Sequence, residues 1–187
     1  MRDTLFSFMS SEVETPDAAY LDEPGTNGAG ATVGRLAGIA RHGRPRGPME
    51  TLDGVAVNRI EGIHGDFRGA ARPGKVPRRQ ISLMEADSWA AAMAALGRGG
   101  EGFVPWQERR ANLLVHGLRL PRKRGAIIAI GASLRIEMTC ECEPCSRMEE
   151  IAPGLKAVLI PDWRGGVLGK VIADGEIAVG DEIRIEE

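Results

Sequence analysis

All three cysteines of the chain lie within six positions, in Thr139-Cys140-Glu141-Cys142-Glu143-Pro144-Cys145-Ser146-Arg147. A thiolate is both a nucleophile and a soft metal ligand, so the first question is which of the three is free to react. From Ser133 to Cys142, apolar or thiol side chains occupy the even positions and mostly polar ones the odd. That period of two describes a strand with one buried face, and it sends Cys140 and Cys142 inward with Leu134, Ile136 and Met138. A buried cysteine behaves as a small hydrophobe. Cys145 differs, because Pro144 cannot donate to a ladder and ends the strand before it. A thiol just past a strand end, beside Arg147, is placed for chemistry.

Three chemistries compete for such a segment. Structural zinc usually takes four N or S ligands, whereas C-x-C-x-x-C supplies three in a cramped span and would borrow His42, His64 or His116 from far away in sequence. A nucleophile of the papain type requires a positioned histidine and an oxyanion hole, neither of which the sequence displays. A thiolate that ligates a metal or carries a sulfane sulfur asks only for nearby cations and partial access.

The elements that must position these residues are mostly strands. Ala31 to Ile39 and Gly54 to Val57 read as short strands separated by a Gly/Pro/Arg loop at 41–48. Gln80 to Met84 reads as a strand running into a helix from Glu85 to Leu96, with Trp89, Met93 and Leu96 on one face. Ser82 with Glu85 fits a capping box, and Gly97 fits the position after the helix. Further strands are expected over 126–130, 133–142, 167–173, 176–179 and 182–185, with Asp174-Gly175 as a two-residue hairpin turn. Many short strands and few helices predict a mainly β fold, a barrel or a sandwich.

A chain of 187 residues, 43% hydrophobic, suits one globular domain. Residues 1–30 carry six acids against one arginine and end in Pro24-Gly25-Thr26-Asn27-Gly28-Ala29-Gly30, which is expected to form a flexible acidic extension, leaving 31–187 as the domain. An odd, crowded set of cysteines is no disulfide framework, which favours a reducing compartment, the cytoplasm. Neither a signal peptide nor a membrane-length apolar run is evident. Basic stretches occur at Arg68, Arg72, Lys75, Arg78 and Arg79, at Arg109-Arg110, and at Arg122-Lys123-Arg124. With three Trp, four Phe and one Tyr for stacking, nucleic-acid binding is not expected.

Seven short motifs in order carry a family resemblance. Gly62-Ile63-His64-Gly65-Asp66, Arg79-Gln80-Ile81-Ser82-Leu83, Arg110-Ala111-Asn112-Leu113 with Gly117-Leu118-Arg119-Leu120, Cys142-Glu143-Pro144-Cys145, Pro153-Gly154-Leu155, Arg164-Gly165-Gly166-Val167 and Gly175-Glu176-Ile177 with Gly180-Asp181 resemble the MOSC domain, named for the C-terminus of molybdenum cofactor sulfurase. The likeness spans residues 33 to 185. It implies a β-barrel that presents Cys145 to a molybdenum cofactor, either as molybdenum ligand or as persulfide carrier, in sulfur transfer or in the reduction of N-hydroxylated compounds. The family is also associated with pyridoxal phosphate binding. A separate protein would then donate electrons or sulfur. Many members have Glu just before the Asn, where this chain has Arg109-Arg110-Ala111-Asn112.

A pterin cofactor ends in a phosphate and carries a heteroaromatic ring, so the resemblance implies a rim of guanidinium forks, backbone N–H groups and short amides. Arg164 beside Gly165-Gly166 suits a phosphate, since glycine admits an anion close to the backbone, or is an ordinary glycine turn. Arg79, Arg109 and Arg110 line the same cleft or are surface charge. Asn112 holds a ligand or closes a turn. Asp66 orients His64 or an arginine, or caps its own turn. The competing reading is a non-enzymatic module whose cysteines bind zinc or pack the core.

Overall fold

The computed structural model describes residues 33–70, 74, 77–97 and 104–186. The acidic segment 1–30 lies outside them, as do Arg72 and Lys75 of the basic stretch. Strands β1 (Val33–Arg41), β2 (Glu50–Leu52), β3 (Gly54–Asn58), β4 (Gly62–Ile63) and β5 (Ile81–Glu85) lead into helix α1 (Ala86–Ala95). After a 3-10 turn at Trp106–Arg109 come β6 (Leu113–His116), β7 (Ile127–Ile130) and β8 (Leu134–Glu141). Two short helices, α2 (Arg147–Ile151) and α3 (Leu155–Leu159), and a second 3-10 turn at Pro161–Trp163 separate β8 from β9 (Val167–Ala173), β10 (Gly175–Ala178) and β11 (Glu182–Glu186).

Seven strands close into a barrel in the order β1-β11-β7-β8-β9-β5-β6 and back to β1, which is the mainly β architecture the sequence predicts. Neighbours run antiparallel except the parallel pair β5–β6. Closure depends on β1. Its first residues pair with β11 (Val33 with Arg184) and its last with β2 (Ile39 with Leu52), while β6 runs along the other edge. A smaller sheet, β10-β3-β4, lies beside the barrel.

Alternation explains the interior. Leu36, Ile39, Leu83, Leu113, Ile128, Ile130, Leu134 and Ile136 are fully enclosed, and each stabilises the fold by about 1.5–3 kcal/mol relative to exposure. Strand β5 is buried on both faces: Ile81 and Leu83 point into the barrel, while Met84 joins a second core with Trp89, Met93, Met148, Leu155 and Leu159 of the three helices. The same side chain that covers the barrel, Trp89, donates its indole N–H to the Val104 carbonyl at 3.1 Å. Leu83→Ala would open a cavity inside the barrel, at roughly 2–5 kcal/mol.

Two sequence expectations are corrected. Asp174-Gly175 is not a hairpin turn, because β10 leaves the barrel to pair with β3 rather than folding back on β9, and Gly175 does not take a positive φ. Asp174 instead accepts the backbone and side-chain N–H groups of Arg59, each at 3.0 Å. The capping box is also absent. Ser82 sits inside β5, and the N-cap of α1 is Glu85, whose carboxylate accepts from the Leu120 N–H at 2.8 Å and the Ser88 hydroxyl at 2.7 Å. Gly97 does occupy the position after α1, at φ +67.

Candidate functional site

The site is assembled where β8 ends and β9 begins. Strand β8 slips register against β9 between Met138 and Cys140, and this bulge turns Thr139 inward, where its hydroxyl lies 2.9 Å from the Leu168 carbonyl and 2.6 Å from that of Arg78. The slip shifts the pattern by one residue at that point, and the strand ends before a new alternation is set up. Cys140 is therefore exposed, which corrects the expectation that it faces the core, while Cys142 is buried. The strand ends at Glu141, Pro144 is buried, and Cys145 is exposed one turn before α2, with its carbonyl accepting the Met148 N–H at 3.0 Å. The three thiols do not converge, and among the described residues no group of three His, Cys, Asp or Glu side chains is arranged to hold a metal ion.

Arg109 fixes the segment that delivers Cys145. It is 5% exposed, and its Nη2 donates to the Cys142 carbonyl at 2.7 Å and the Gly165 carbonyl at 2.8 Å, with Cys142 Sγ at 3.3 Å. Gly165 and Gly166 have to be glycine for this seating. A Cβ on Gly165 would collide with the Cys142 carbonyl, and one on Gly166, at φ +92, would collide with that of Leu83. Their polar groups are all engaged: Gly165 N–H donates to Leu159 and Gly166 N–H to Trp163, while the Gly166 carbonyl accepts the Cys142 N–H at 2.8 Å. These two glycines thus bring protein backbone close to protein backbone, and their amides do not point at an anion. Arg164, half-buried, donates to the Val158 carbonyl at 3.3 Å at the end of α3.

Asn112 staples three strands. Its Oδ1 accepts the Ser82 N–H at 3.1 Å and hydroxyl at 2.9 Å, and its Nδ2 donates to the Ala40 carbonyl at 3.2 Å, tying β1, β5 and β6 together just below Arg110. Asp66 accepts from His42, not His64: the His42 backbone N–H lies at 3.1 Å and Nδ1 at 3.0 Å, both groups buried. His64 is exposed and pairs with Glu61 at 2.9 Å. Arg79 is exposed ahead of β5.

Arg110 is the hub of a cationic cluster. It adopts a left-handed conformation, φ 65, and donates Nη1 to the Gly47 carbonyl at 2.8 Å, but its buried Nε and Nη2 have no partner. Desolvation, followed by repulsion from Arg147 and Arg68, lowers its pKa, yet a guanidinium remains charged. Arg147, two residues after Cys145, also leaves a buried Nε unpaired, as do Arg109 Nε and His42 Nε2. Among the described ion pairs none includes Arg68, Arg109, Arg110 or Arg147. Sequence reasoning missed His42 and Arg147 as members of the site; the signal available was Arg147 beside Cys145, and a loop rich in Arg and Gly around His42. Nearby, burial first and then repulsion from Glu143 raise the pKa of Glu141. A shallow groove between β3 and β10, lined by Val55, Ile177 and Asp181, lies at the opposite end of β8, where Gly175 packs on Leu134. None of the candidate residues lines it.

One strand of the closed barrel thus runs out into a buried cysteine, a proline and an exposed cysteine, two residues before Arg147, which joins none of the described ion pairs. Residues 73–184, more than half of the chain, match the model of the MOSC domain, and the chain belongs to that family. Its fold is similar to the crystal structure of the YuaD protein from Bacillus subtilis, at 19% identity and a TM-score of 0.70, covering 82% of this chain and 95% of that one. It is also similar to YiiM from Escherichia coli, at 16% identity and a TM-score of 0.60 (82% and 70% covered), and to YiiM from Geobacillus stearothermophilus, at 17% and 0.60 (82% and 75%). No curated protein matches the chain. Family membership gives it a role related to the molybdenum cofactor. Among the described residues, no helix is long and apolar enough to cross a membrane.

Proposed function

We propose that the chain binds a molybdenum cofactor at the mouth of its barrel, with Cys145 as the thiolate that either ligates molybdenum or carries a sulfane sulfur. The observation that carries this reading is the exposed Cys145 next to a cluster of buried, unpaired guanidinium nitrogens. The donor set fits the group: Arg109 Nε, Arg110 Nε and Nη2, and Arg147 Nε are N–H donors with no protein acceptor, and the pterin's phosphate is rich in acceptor oxygens. When bound, the cofactor would supply redox chemistry at a metal centre.

The chain's own residues position and charge the site. Arg109 pins the backbone on both sides of the gap between Cys142 and Gly165, so that Cys145 leaves a fixed strand end. Asn112, two residues after Arg110, ties the chain there to β5 and β1. In the reductase version of this reading, reduction of N-hydroxylated compounds, electrons arrive from a separate protein. In the carrier version a separate sulfur donor loads Cys145. Either version operates in a reducing compartment.

The test is metal and cofactor content. Expressed in a host that makes molybdenum cofactor, the purified chain is expected to carry molybdenum and fluorescent pterin, and Cys145→Ser to lose molybdenum retention or persulfide formation. One equivalent of zinc without pterin would sink the proposal and favour a non-enzymatic module. If Cys145→Ser kept both cofactor and sulfur, the role of Cys145 would be wrong.

A further inference from the structure

Asp162 and Trp163 are the only adjacent pair of non-glycine residues with positive φ among the described residues, both at 55°. Ile160 before them and Arg164 after them are right-handed. A left-handed tryptophan is an outlier, since its side chain crowds the backbone, and such a conformation persists only where the surroundings impose it. With helical backbone on both sides, right-handed angles at 162 and 163 would be the relaxed choice. They would carry Gly165 and Gly166 away from the places these glycines hold.

Two arginines from the segment between β6 and β7 impose the turn. Asp162 Oδ1 accepts from Arg119 Nη2 at 2.9 Å and from Arg122 Nη1 at 2.6 Å, and Oδ2 accepts from Arg119 Nη2 at 2.9 Å. Arg122 Nη2 also donates to the Asp162 carbonyl at 2.5 Å, and its guanidinium lies 6.0 Å from the centre of the Trp163 ring. The arginines stand on a fixed base, because Leu118 and Leu120 are buried and the Leu120 N–H donates to Glu85 at 2.8 Å. Trp163 packs in turn against the barrel core. Contacts made by an exposed carboxylate add little to global stability, so what they set is the path of the chain.

That path leads to the cysteines. The Trp163 carbonyl accepts the Gly166 N–H at 2.8 Å, and the Gly166 carbonyl accepts the Cys142 N–H at 2.8 Å. Gly165 lies against the residue before Cys145, since a Cβ on it would come within 3.3 Å of Pro144 Cδ. We propose that Asp162 and Trp163, gripped by Arg119 and Arg122, are positioning residues for Cys145: they hold the turn that sets Gly166 against Cys142, and so fix the strand end from which the thiol leaves. Arg109 holds the same strand end through the Cys142 carbonyl, and the latch at Asp162 holds it through the Cys142 N–H. This inference deepens the cofactor reading, and it rests on that reading only for the use made of Cys145.

The test is amide hydrogen exchange, followed by NMR, in Asp162→Asn and Arg122→Met, singly and together. Asparagine tolerates a left-handed backbone but carries no charge. Each single variant is expected to speed exchange of the Cys142 N–H about tenfold while that of Ile128 in β7 changes by less than about twofold, because a local opening leaves the rest of the barrel intact. The double variant is expected to match the singles, since both remove the same interaction. An ion pair that only supports the fold would raise exchange at Cys142 and Ile128 alike. That result, an unchanged Cys142, or additive effects in the double variant would overturn the latch. In a host that makes the cofactor, Asp162→Asn is expected to lose at least about threefold in molybdenum per chain. Full molybdenum retention despite faster exchange at Cys142 would overturn the positioning role. Faster exchange at Cys142 in the variants of a protein whose wild type never acquires molybdenum or pterin would keep the hold on the Cys145 segment and remove the cofactor reading.

Discussion

Replacing Arg109 with methionine tests how the cysteine segment is held. Nη2 alone serves the Cys142 and Gly165 carbonyls, at 2.7 and 2.8 Å, and both lie in buried backbone. Methionine fills a similar volume but donates nothing, so two buried acceptors lose their partner, at roughly 1–3 kcal/mol each. Part of that is offset, because Arg109 is a buried charge without a carboxylate and its own desolvation cost disappears. The expected net loss is about 2–4 kcal/mol, or about 5–15 °C in Tm for a chain of this size. Urea unfolding measures the energy, and thiol counting with a chromogenic disulfide measures the geometry. In the wild type Cys140 and Cys145 should react fast and Cys142 slowly. In Arg109→Met, Cys142 should join the fast class. Arg109→Lys should fall between, since one ammonium on a flexible stem lacks the fixed planar fork. A midpoint unchanged within about 0.5 kcal/mol, with Cys142 still protected, would refute the clamp.

Three further outcomes follow from the same geometry. Gly166→Ala should destabilise by about 2–4 kcal/mol in urea titrations, since φ +92 disfavours alanine and its Cβ meets the Leu83 carbonyl. Cys140→Ser should change stability by less than about 0.5 kcal/mol, because the bulge leaves that thiol exposed; a loss of several times that would restore it to the core. Asp162 is held at about 2, chiefly by the hydrogen bond from Arg122 and then that from Arg119. Its folded pKa lies below the unfolded 3.8, so its contribution is present above about pH 4 and lost as pH falls towards 2; at 55% side-chain exposure it amounts to less than about 1 kcal/mol. Acid titration of Asp162→Asn should lack that component, and an unchanged acid limb would show that the two arginines contribute nothing.

Strands with a regular period of two were legible in the sequence, and so was the helix under Trp89. Cys140 was misread because a bulge adds one residue to one strand only, a pairing fact that no single strand carries in its own pattern. Asp174-Gly175 misled for a related reason: a turn-forming pair says nothing about which strand the chain pairs with next, and here β10 joins β3. The site residues divide similarly. The exposure of Cys145 followed from Pro144, which ends the strand pattern before it. Asp66 reads from the sequence as orienting His64 or an arginine or as capping its own turn; it does cap that turn, accepting the Arg68 N–H at 3.1 Å, but the histidine it reaches, His42, is 24 positions away across a loop. Arg109, Asn112, Gly165 and Gly166 were legible as special, but their work is to hold backbone against backbone, which depends on contacts between segments far apart along the chain.

The pairing of β1 with β11 sets a condition on how the protein is made. Val33 to Arg35 have to wait for Glu182 to Arg184, so the ring of strands cannot shut until almost the whole domain has left the ribosome. Contacts this distant in sequence are slow to form, and an open sheet exposes unpaired edges in the interval. The first strand has a temporary neighbour, since β2 follows it after a short loop and shelters only its far end, Ile39 to Arg41. The stretch left bare during synthesis, Val33 to Arg35, ends in an arginine, a charge on an edge that discourages other chains from adding to it.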